Sequence, residues 1–338
     1  MATIADIAKK ANVSVSTVSY AINGTRPISE VTRQRIFAVM EELGYRPNAM
    51  ARGLASKKSR IIAVLFPDFG FGLGVTALGF FFNTAEAARQ KGYNLVLWPT
   101  VIHARELREH IQQGLVDGVI VMEVGLHDER VKFLRQAKFP FSMIGRTENT
   151  DGLSYVDFDI DHNIQEAVNY LVDLGHTHIA FINTEKEVKE QPGPSVRSEH
   201  AFQKAVQAAG VRGVTRAAKC APNAGYEAFE ALIAEDPQLT ALLTINDYSV
   251  PGIVQAIGSR GWNIPNDFSL IVGPTSPQMA EIMSPPLTSI DIPIAEMSQI
   301  GVKILLQQLE EHDAQLTQML IPCRLTVRGS TGPCRQRS

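Results

Sequence analysis

Residues 11–24 read ANVSVSTVSYAING. Four short hydroxyl side chains, Ser14, Ser16, Thr17 and Ser19, fall within six positions, and Tyr20 lies one helical turn beyond Ser16 on the same side. Small donors at that density suit phosphate oxygens and base edges. A second group of polar residues sits at the ends of apolar, β-branched runs. Asp68 follows IIAVLF, Arg146 ends FSMIGR, Asn246 and Asp247 end ALLTIND, and Arg197 lies in GPSVRSEHAF, ahead of a helix. Carboxylates, guanidiniums and an amide gathered at one sheet edge can hold the hydroxyls of a sugar. Taken singly, each is better explained as a helix cap or a surface charge.

Other constellations carry less. FPDFGFGLG follows a strand-like run, but the G-x-G-x-x-G spacing fails at Val75. His176-Thr177-His178 has no Cys or His cluster to complete a metal site and reads as a turn before IAFIN. No nucleophile–base–acid set stands out, so the chain reads as a non-enzyme with no cofactor and no metal.

The elements that must position these groups begin with a head. Thr3 can cap a first helix, with Asp6 three residues on as its carboxylate partner. Ile4, Ile7, Ala8 and Ala11 share one helical face. Asn12-Val13-Ser14 breaks the pattern as a turn, and Ser14 or Ser16 can cap a second helix. In it Val15, Val18 and Ile22 recur at helical spacing and are expected to pack inward. Asn23-Gly24 ends that helix, and a third runs from about Ser29 to Leu43 with Val31, Ile36, Val39, Met40 and Leu43 apolar. Three short helices with a three-residue turn between the first two match a helix-turn-helix, whose second helix enters the major groove. A generic three-helix bundle is the plainer alternative. GYRPNAMARGLASKKSR then starts with a proline break and continues as a short helix, Asn48 to Ala55. Its small faces allow close approach to a twin, and Leu54 is an apolar wedge for a minor-groove base step.

Charge supports this division. The 338 residues carry a net −3, but residues 1–60 hold ten Lys/Arg against four Asp/Glu, a head of +6 on a body of −9. A basic head on an acidic body suggests a polyanion-binding module joined to a separate domain. No apolar run is long enough to span a bilayer and the N-terminus lacks an apolar signal core, so no membrane is expected. Cys220, Cys323 and Cys334 are odd in number and lack metal-site spacing, which points to a reduced, cytoplasmic compartment.

The body alternates strand-like and helical segments. The strand-like runs are 61–66, 94–98, 118–122, 141–145, 154–158, 179–183, 241–245, 268–272 and 287–291. Such alternation predicts parallel sheets with covered faces, too many strands for one small sheet, and hence two α/β lobes.

TIADIAKKANVSVSTVSYAING, then TRQRI, ELGYRPNAMARGL and the chain length together resemble the lactose-repressor/galactose-repressor (LacI–GalR) family of bacterial transcription regulators. The resemblance runs through nearly the whole chain. It implies an all-α helix-turn-helix head (1–46), a hinge helix and linker (47–60), and an α/β body (61–338). The body would be two periplasmic-binding-protein-like lobes, one of residues 61–159 and 290–318, the other of 160–289 and 319–331. It implies that Val15, Ser16 and Tyr20 read bases, that Leu54 is the hinge leucine, and that Thr3, Ser14, Thr17, Ser19, Asn23, Asn48 and Ala51 complete the DNA-binding set. It places Thr76 and Leu78 at the mouth of an effector pocket holding Asp68, Arg146, Arg197, Asn246, Asp247 and Thr275. The implied partners are a palindromic DNA operator, a sugar-like effector and a second copy of the chain.

Four departures from the family pattern stand out, one being an arginine displaced by one position ahead of the Ala201–Phe202 pair. Tyr20 stands where the family usually has Arg. GVTA (74–77) replaces an Asn-Pro-Phe-Phe run. GPTS (273–276) replaces Gly-Phe-Asp-Asp, so Thr275 takes the place of a ligand-binding Asp. A regulator with an altered or lost pocket is therefore the alternative, and a sugar-binding transport protein is disfavoured by the basic head.

Overall fold

A computed structural model describes residues 2–23, 26–45, 58–66, 74–99, 104–185, 193–311 and 315–335. Two compact units emerge, one of residues 1–60 with 114–117, the other of 61–113 with 118–338.

The head holds α1 (Ile4–Ala11), α2 (Val15–Asn23) and α3 (Glu30–Glu42). Ile7, Ala8, Ala11, Val18, Ala21, Ile36, Val39 and Met40 bury a small core between them. One sequence expectation changes. Val15 is 52% exposed rather than packed inward, and Val31 is 77% exposed. Both occupy the first turn of a helix, before the helix meets its neighbours.

The body builds two six-stranded sheets. The first contains β1 (Ile61–Phe66), β2 (Asn94–Pro99), β3 (Gly118–Met122), β4 (Phe141–Ile144), β5 (Tyr155–Phe158) and β11 (Gln318–Ile321), in the order β11-β5-β4-β3-β1-β2, all parallel. The second contains β6 (His178–Thr184), β7 (Arg212–Ala218), β8 (Ala241–Thr244), β9 (Ser269–Thr275), β10 (Thr288–Asp291) and β12 (Arg324–Thr326). Its order is β12-β10-β9-β8-β6-β7, parallel except that β12 runs antiparallel to β10. Central strands such as GVIVM are buried on every residue because helices cover both faces of a parallel sheet.

The covering helices of the first lobe are α4 (Val75–Gln90), α5 (Ala104–Gln112), α6 (Glu129–Ala137) and α12 (Ile294–Glu310). Those of the second are α7 (Ile160–Asp173), α8 (Gly193–Ala209), α9 (Pro222–Glu235), α10 (Val250–Ser259) and α11 (Pro277–Glu281).

The chain passes between sheets three times, after β5, after β10 and after β11. Two of the expected boundaries therefore move. Residues 290–291 belong to the second sheet, where β10 pairs with β9, and residues 319–321 belong to the first, where β11 pairs with β5. Hydrogen-bonded register sets these limits, and residue type does not reveal it. Strand order reverses between β1 and β3 in one sheet and between β6 and β8 in the other. Such reversals open a crevice at the strands' C-terminal ends. Among the described residues no helix is long and apolar enough to cross a membrane.

Candidate DNA-reading face and effector cleft

In the head, Thr3 and Asp6 form the expected reciprocal cap. Thr3 Oγ1 accepts from Asp6 N at 3.3 Å, and Thr3 N donates to Asp6 Oδ2 at 2.9 Å. The Thr3 hydroxyl, donating to Asp6 Oδ2 at 2.7 Å, and then the Thr3 N–H hold the Asp6 carboxyl below its ordinary pKa. Asn12 closes α1 in the left-handed region, φ 50°. Ser14, rather than Ser16, meets the start of α2: its Oγ accepts from Thr17 N at 3.1 Å and lies 2.8 Å from Thr17 Oγ1. Ser14 and Thr17 therefore hold the turn, while Val15 and Ser16 stand exposed beside them. Ser19 and Tyr20 are half-buried on the same helix. The Arg26 guanidinium lies 5.2 Å from the Tyr20 ring centroid. Together with Pro27, Ile28 and Arg33, these two residues line a groove of about 450 Å³. The side chain of Asn23, and Asn48, Ala51 and Leu54 entirely, lie outside the described residues.

In the body, two clusters form at strand C-terminal ends. The first joins the lobes. Thr76, in the first turn of α4, donates to Asp247 Oδ2 at 2.5 Å, lies 2.9 Å from Thr275 Oγ1, and accepts from Ser276 N at 3.0 Å. Beside it Gly74 N donates to the Tyr248 hydroxyl at 2.7 Å. Asp247 keeps some surface as a residue, but its Oδ1 is out of solvent and unbonded. Burial pushes its carboxyl up to about 6, against the pull of the Thr76 hydroxyl.

The second cluster surrounds Asp157, at the end of β5. Its Oδ2 lies 3.6 Å from Arg146 Nη1 and 3.8 Å from Arg197 Nη1. Arg197 Nη2 also donates to the carbonyls of Arg146 at 2.8 Å and Thr147 at 3.1 Å. Burial pushes the Asp157 carboxyl up to about 6 despite both guanidiniums, and lowers Arg197. Asp157 Oδ2 and the two Nη1 atoms are buried, converge on one point, and make no hydrogen bond. A donor–acceptor group such as a hydroxyl, placed among them, would satisfy all three.

The expected pocket residues divide accordingly. Thr76, Asp247 and Thr275 come together, as do Arg146 and Arg197. Arg197 lies within α8 rather than in a loop before it. Asn246 is buried and bonds to neither cluster: its Nδ2 donates to the carbonyls of Ala218 at 2.9 Å and Lys219 at 3.2 Å, pinning the end of β7. Leu78 is 40% exposed on α4. Asp68 lies outside the described residues. Sequence reasoning missed Asp157 and Tyr248. A lone acid in the apolar run SYVDF was a signal for the first, and nothing distinguished the second. The paired histidines are held by the protein itself, His176 by Thr240 and Ser269, His178 by Asp236.

A capped helix-turn-helix and a two-sheet body threaded three times by one chain define a DNA-binding regulator with a periplasmic-binding-protein-like domain. The model of bacterial regulatory proteins of the lacI family matches residues 3–48, and that of periplasmic binding protein-like domains matches residues 168–331. The chain thus carries a LacI-family DNA-binding domain followed by a periplasmic binding protein-like domain. Catabolite control protein A of Priestia megaterium is 28% identical over 97% of this chain and 99% of its own. The HTH-type transcriptional regulator DegA of Bacillus subtilis is 29% identical over 98% of each. The fold is shared with the lac repressor dimer bound to operator and the anti-inducer ONPF (TM-score 0.83, 23% identity, 98% of this chain and 99% of that one). It is shared also with a CelR–cellobiose complex (TM-score 0.71, 23% identity, 98% and 100%).

Proposed function

We propose that this protein is a cytoplasmic transcriptional repressor that binds a palindromic operator as a homodimer and is controlled by a sugar or sugar derivative between its lobes. The observation that carries this reading is the head. Eight of its apolar residues form a buried core, its turn is closed by Ser14 and Thr17, and Val15 and Ser16 are left exposed at the start of α2, the part that meets base edges in a helix-turn-helix. Residues 1–46 are the DNA-binding unit, 47–60 the hinge and linker, with Leu54 as the minor-groove wedge, and the remainder the effector and dimerisation unit. Its work is binding rather than turnover. Operator and sugar complexes among the structural neighbours support the two ligand classes.

The effector acts through differential affinity for two lobe arrangements. The Asp157–Arg146–Arg197 cluster suits vicinal hydroxyls, because a carboxylate accepts where guanidiniums donate. A second reading, an altered or lost pocket, is favoured by one feature: Thr76, Asp247 and Thr275 bond to one another across the lobes.

Two experiments test the proposal. Selection from a random duplex pool is expected to enrich a palindrome; a pool that stays random refutes the repressor reading. Melting of the full chain is then followed with mono- and disaccharides, sugar phosphates and purines. A sugar that binds only the folded state raises the midpoint. A panel with no shift supports the lost-pocket reading.

A further inference from the structure

We propose that Arg26 is a base-reading residue of the head, presented on the face of the Tyr20 ring, and that the Tyr20–Arg26 pair sets one base-pair position of each half-site. The proposal rests on the reading of the head as a DNA-binding module and adds a residue to its specificity.

Relative to the family pattern, Tyr20 removes a guanidinium, the side chain best suited to the O6 and N7 of guanine. The structure returns one from the next segment of chain. Arg26 is exposed, and its guanidinium carbon lies over the Tyr20 ring, 5.2 Å from the centroid, inside the distance at which the ring quadrupole attracts a cation. Among the described residues no carboxylate pairs with it. A guanidinium held by the ring's electrostatic attraction, with no carboxylate on its N–H groups, keeps those donors for a fork. The backbone that carries Arg26 is anchored on its far side. Pro27 follows with a restricted φ, Ile28 packs against the head core, and Ser29 Oγ accepts from Thr32 N at 3.3 Å to cap α3. The guanidinium is therefore held over the reading helix rather than carried on a free loop. Arg33, 6.0 Å from the Phe37 ring centroid, also lines the groove and gives it a second positive group.

A guanidinium here has two possible targets, a base edge or a phosphate, and the observations favour the base. Its position is tied to Tyr20, on the helix that enters the groove, and a guanidinium offers a directional pair of donors. A phosphate needs only charge.

The test is in vitro selection on a random duplex pool with the full-length protein and its Arg26→Ala, Arg26→Lys, Tyr20→Ala, Tyr20→Phe and Arg26→Ala/Tyr20→Ala variants. Discrimination at one base-pair position is expected to fall about 5- to 150-fold in Arg26→Ala, the range of a bidentate base contact, with the rest of the half-site retained. Arg26→Lys should relax the same position because it keeps the charge but loses the fork. Tyr20→Ala should relax it too, the double variant should lose no more than either single one, and Tyr20→Phe should keep it. A uniform loss over all sequences, with a shallower salt dependence and rescue by Lys, would mean a phosphate contact and overturn the proposal. So would relaxation in Tyr20→Ala and Tyr20→Phe without any in Arg26→Ala, since the Tyr20 hydroxyl would then be the reader. Unfolding curves accompany each variant; both side chains lie at the surface of the head. A wild-type protein that enriches no motif overturns the DNA-reading head itself, an outcome distinct from an enriched motif that Arg26 does not alter.

Discussion

The Thr76 hydroxyl meets a carboxylate, a hydroxyl and a backbone amide of the other lobe within 3.0 Å. Thr76→Val keeps the shape and removes all three bonds. It is expected to cost about 1–3 kcal/mol, because the Asp247 carboxylate and Ser276 N–H lose a partner in a desolvated place. Urea unfolding measures that cost, and an unchanged midpoint would show that the clasp contributes nothing.

Asp247 and Asp157 also make the body sensitive to pH. Both carboxyls are raised from 3.8 to about 6. A raised folded pKa means that the folded state favours the proton. The contribution to stability is complete below about pH 4 and is lost as pH rises through 6. The loss is at most about 3 kcal/mol per carboxyl. Near pH 4.5–7 these two groups therefore make the protein more stable at the acid end. Asp247→Asn, which does not ionise, is expected to flatten the melting-temperature profile across that window. An unaltered slope would remove Asp247 as a source.

At the scale of elements, the ends and crossings of helices matter most. Thr3→Ala breaks the cap of α1 and should lower the stability of the head by about 1 kcal/mol, read from the unfolding of the head. An equal midpoint would leave the cap without weight. Helices α9 and α10 touch backbone to backbone: a Cβ on Gly252 would lie 1.7 Å from the Pro222 carbonyl oxygen, and one on Gly225 would lie 2.1 Å from that of Ser249. Gly252→Ala is expected to destabilise by about 3 kcal/mol or more, at the upper end of overpacking costs. Gly258, in the same helix, meets nothing within 4 Å, and Gly258→Ala should stabilise by about 0.5–1 kcal/mol through helix propensity alone. Chemical denaturation of the two variants should move in opposite directions; shifts of the same sign would contradict the contact.

The apolar runs made most strands legible, since each buried strand of a parallel sheet is a continuous run. Strands β7, β11 and β12 were not legible, because RGVTRAA, QMLI and RLT lie at sheet edges where polar and exposed residues are tolerated.

At the scale of the whole molecule, charge is unevenly shared. The +6 of residues 1–60 against the −9 of the rest concentrates attraction for a polyanion in the head. Basic residues that neutralise phosphates release counterions, so affinity falls with salt. For a dimer making about six to ten phosphate contacts, operator affinity is expected to drop roughly 10³- to 10⁵-fold between about 50 and 200 mM salt. Fluorescence anisotropy over that range checks it, and a flat response would contradict the basic-head argument.

The sequence by itself determined the division into a basic helical head and an alternating α/β body. Charge, the 3.6-residue periodicity of the helices and the continuous apolar runs of the buried strands are local properties, printed in the order of residues. It also determined the cap of α1 and the exposure of Ser16, which depend on neighbours three or four positions away. Only the tertiary structure decided where the chain passes between sheets, which pocket residues meet, and which bond elsewhere. Thr76 and Thr275 are 199 positions apart, and Asn246 and Asp247 are adjacent yet face different partners. Pairings of that kind depend on sheet register and chain return, which couple distant segments and leave no mark in either segment alone.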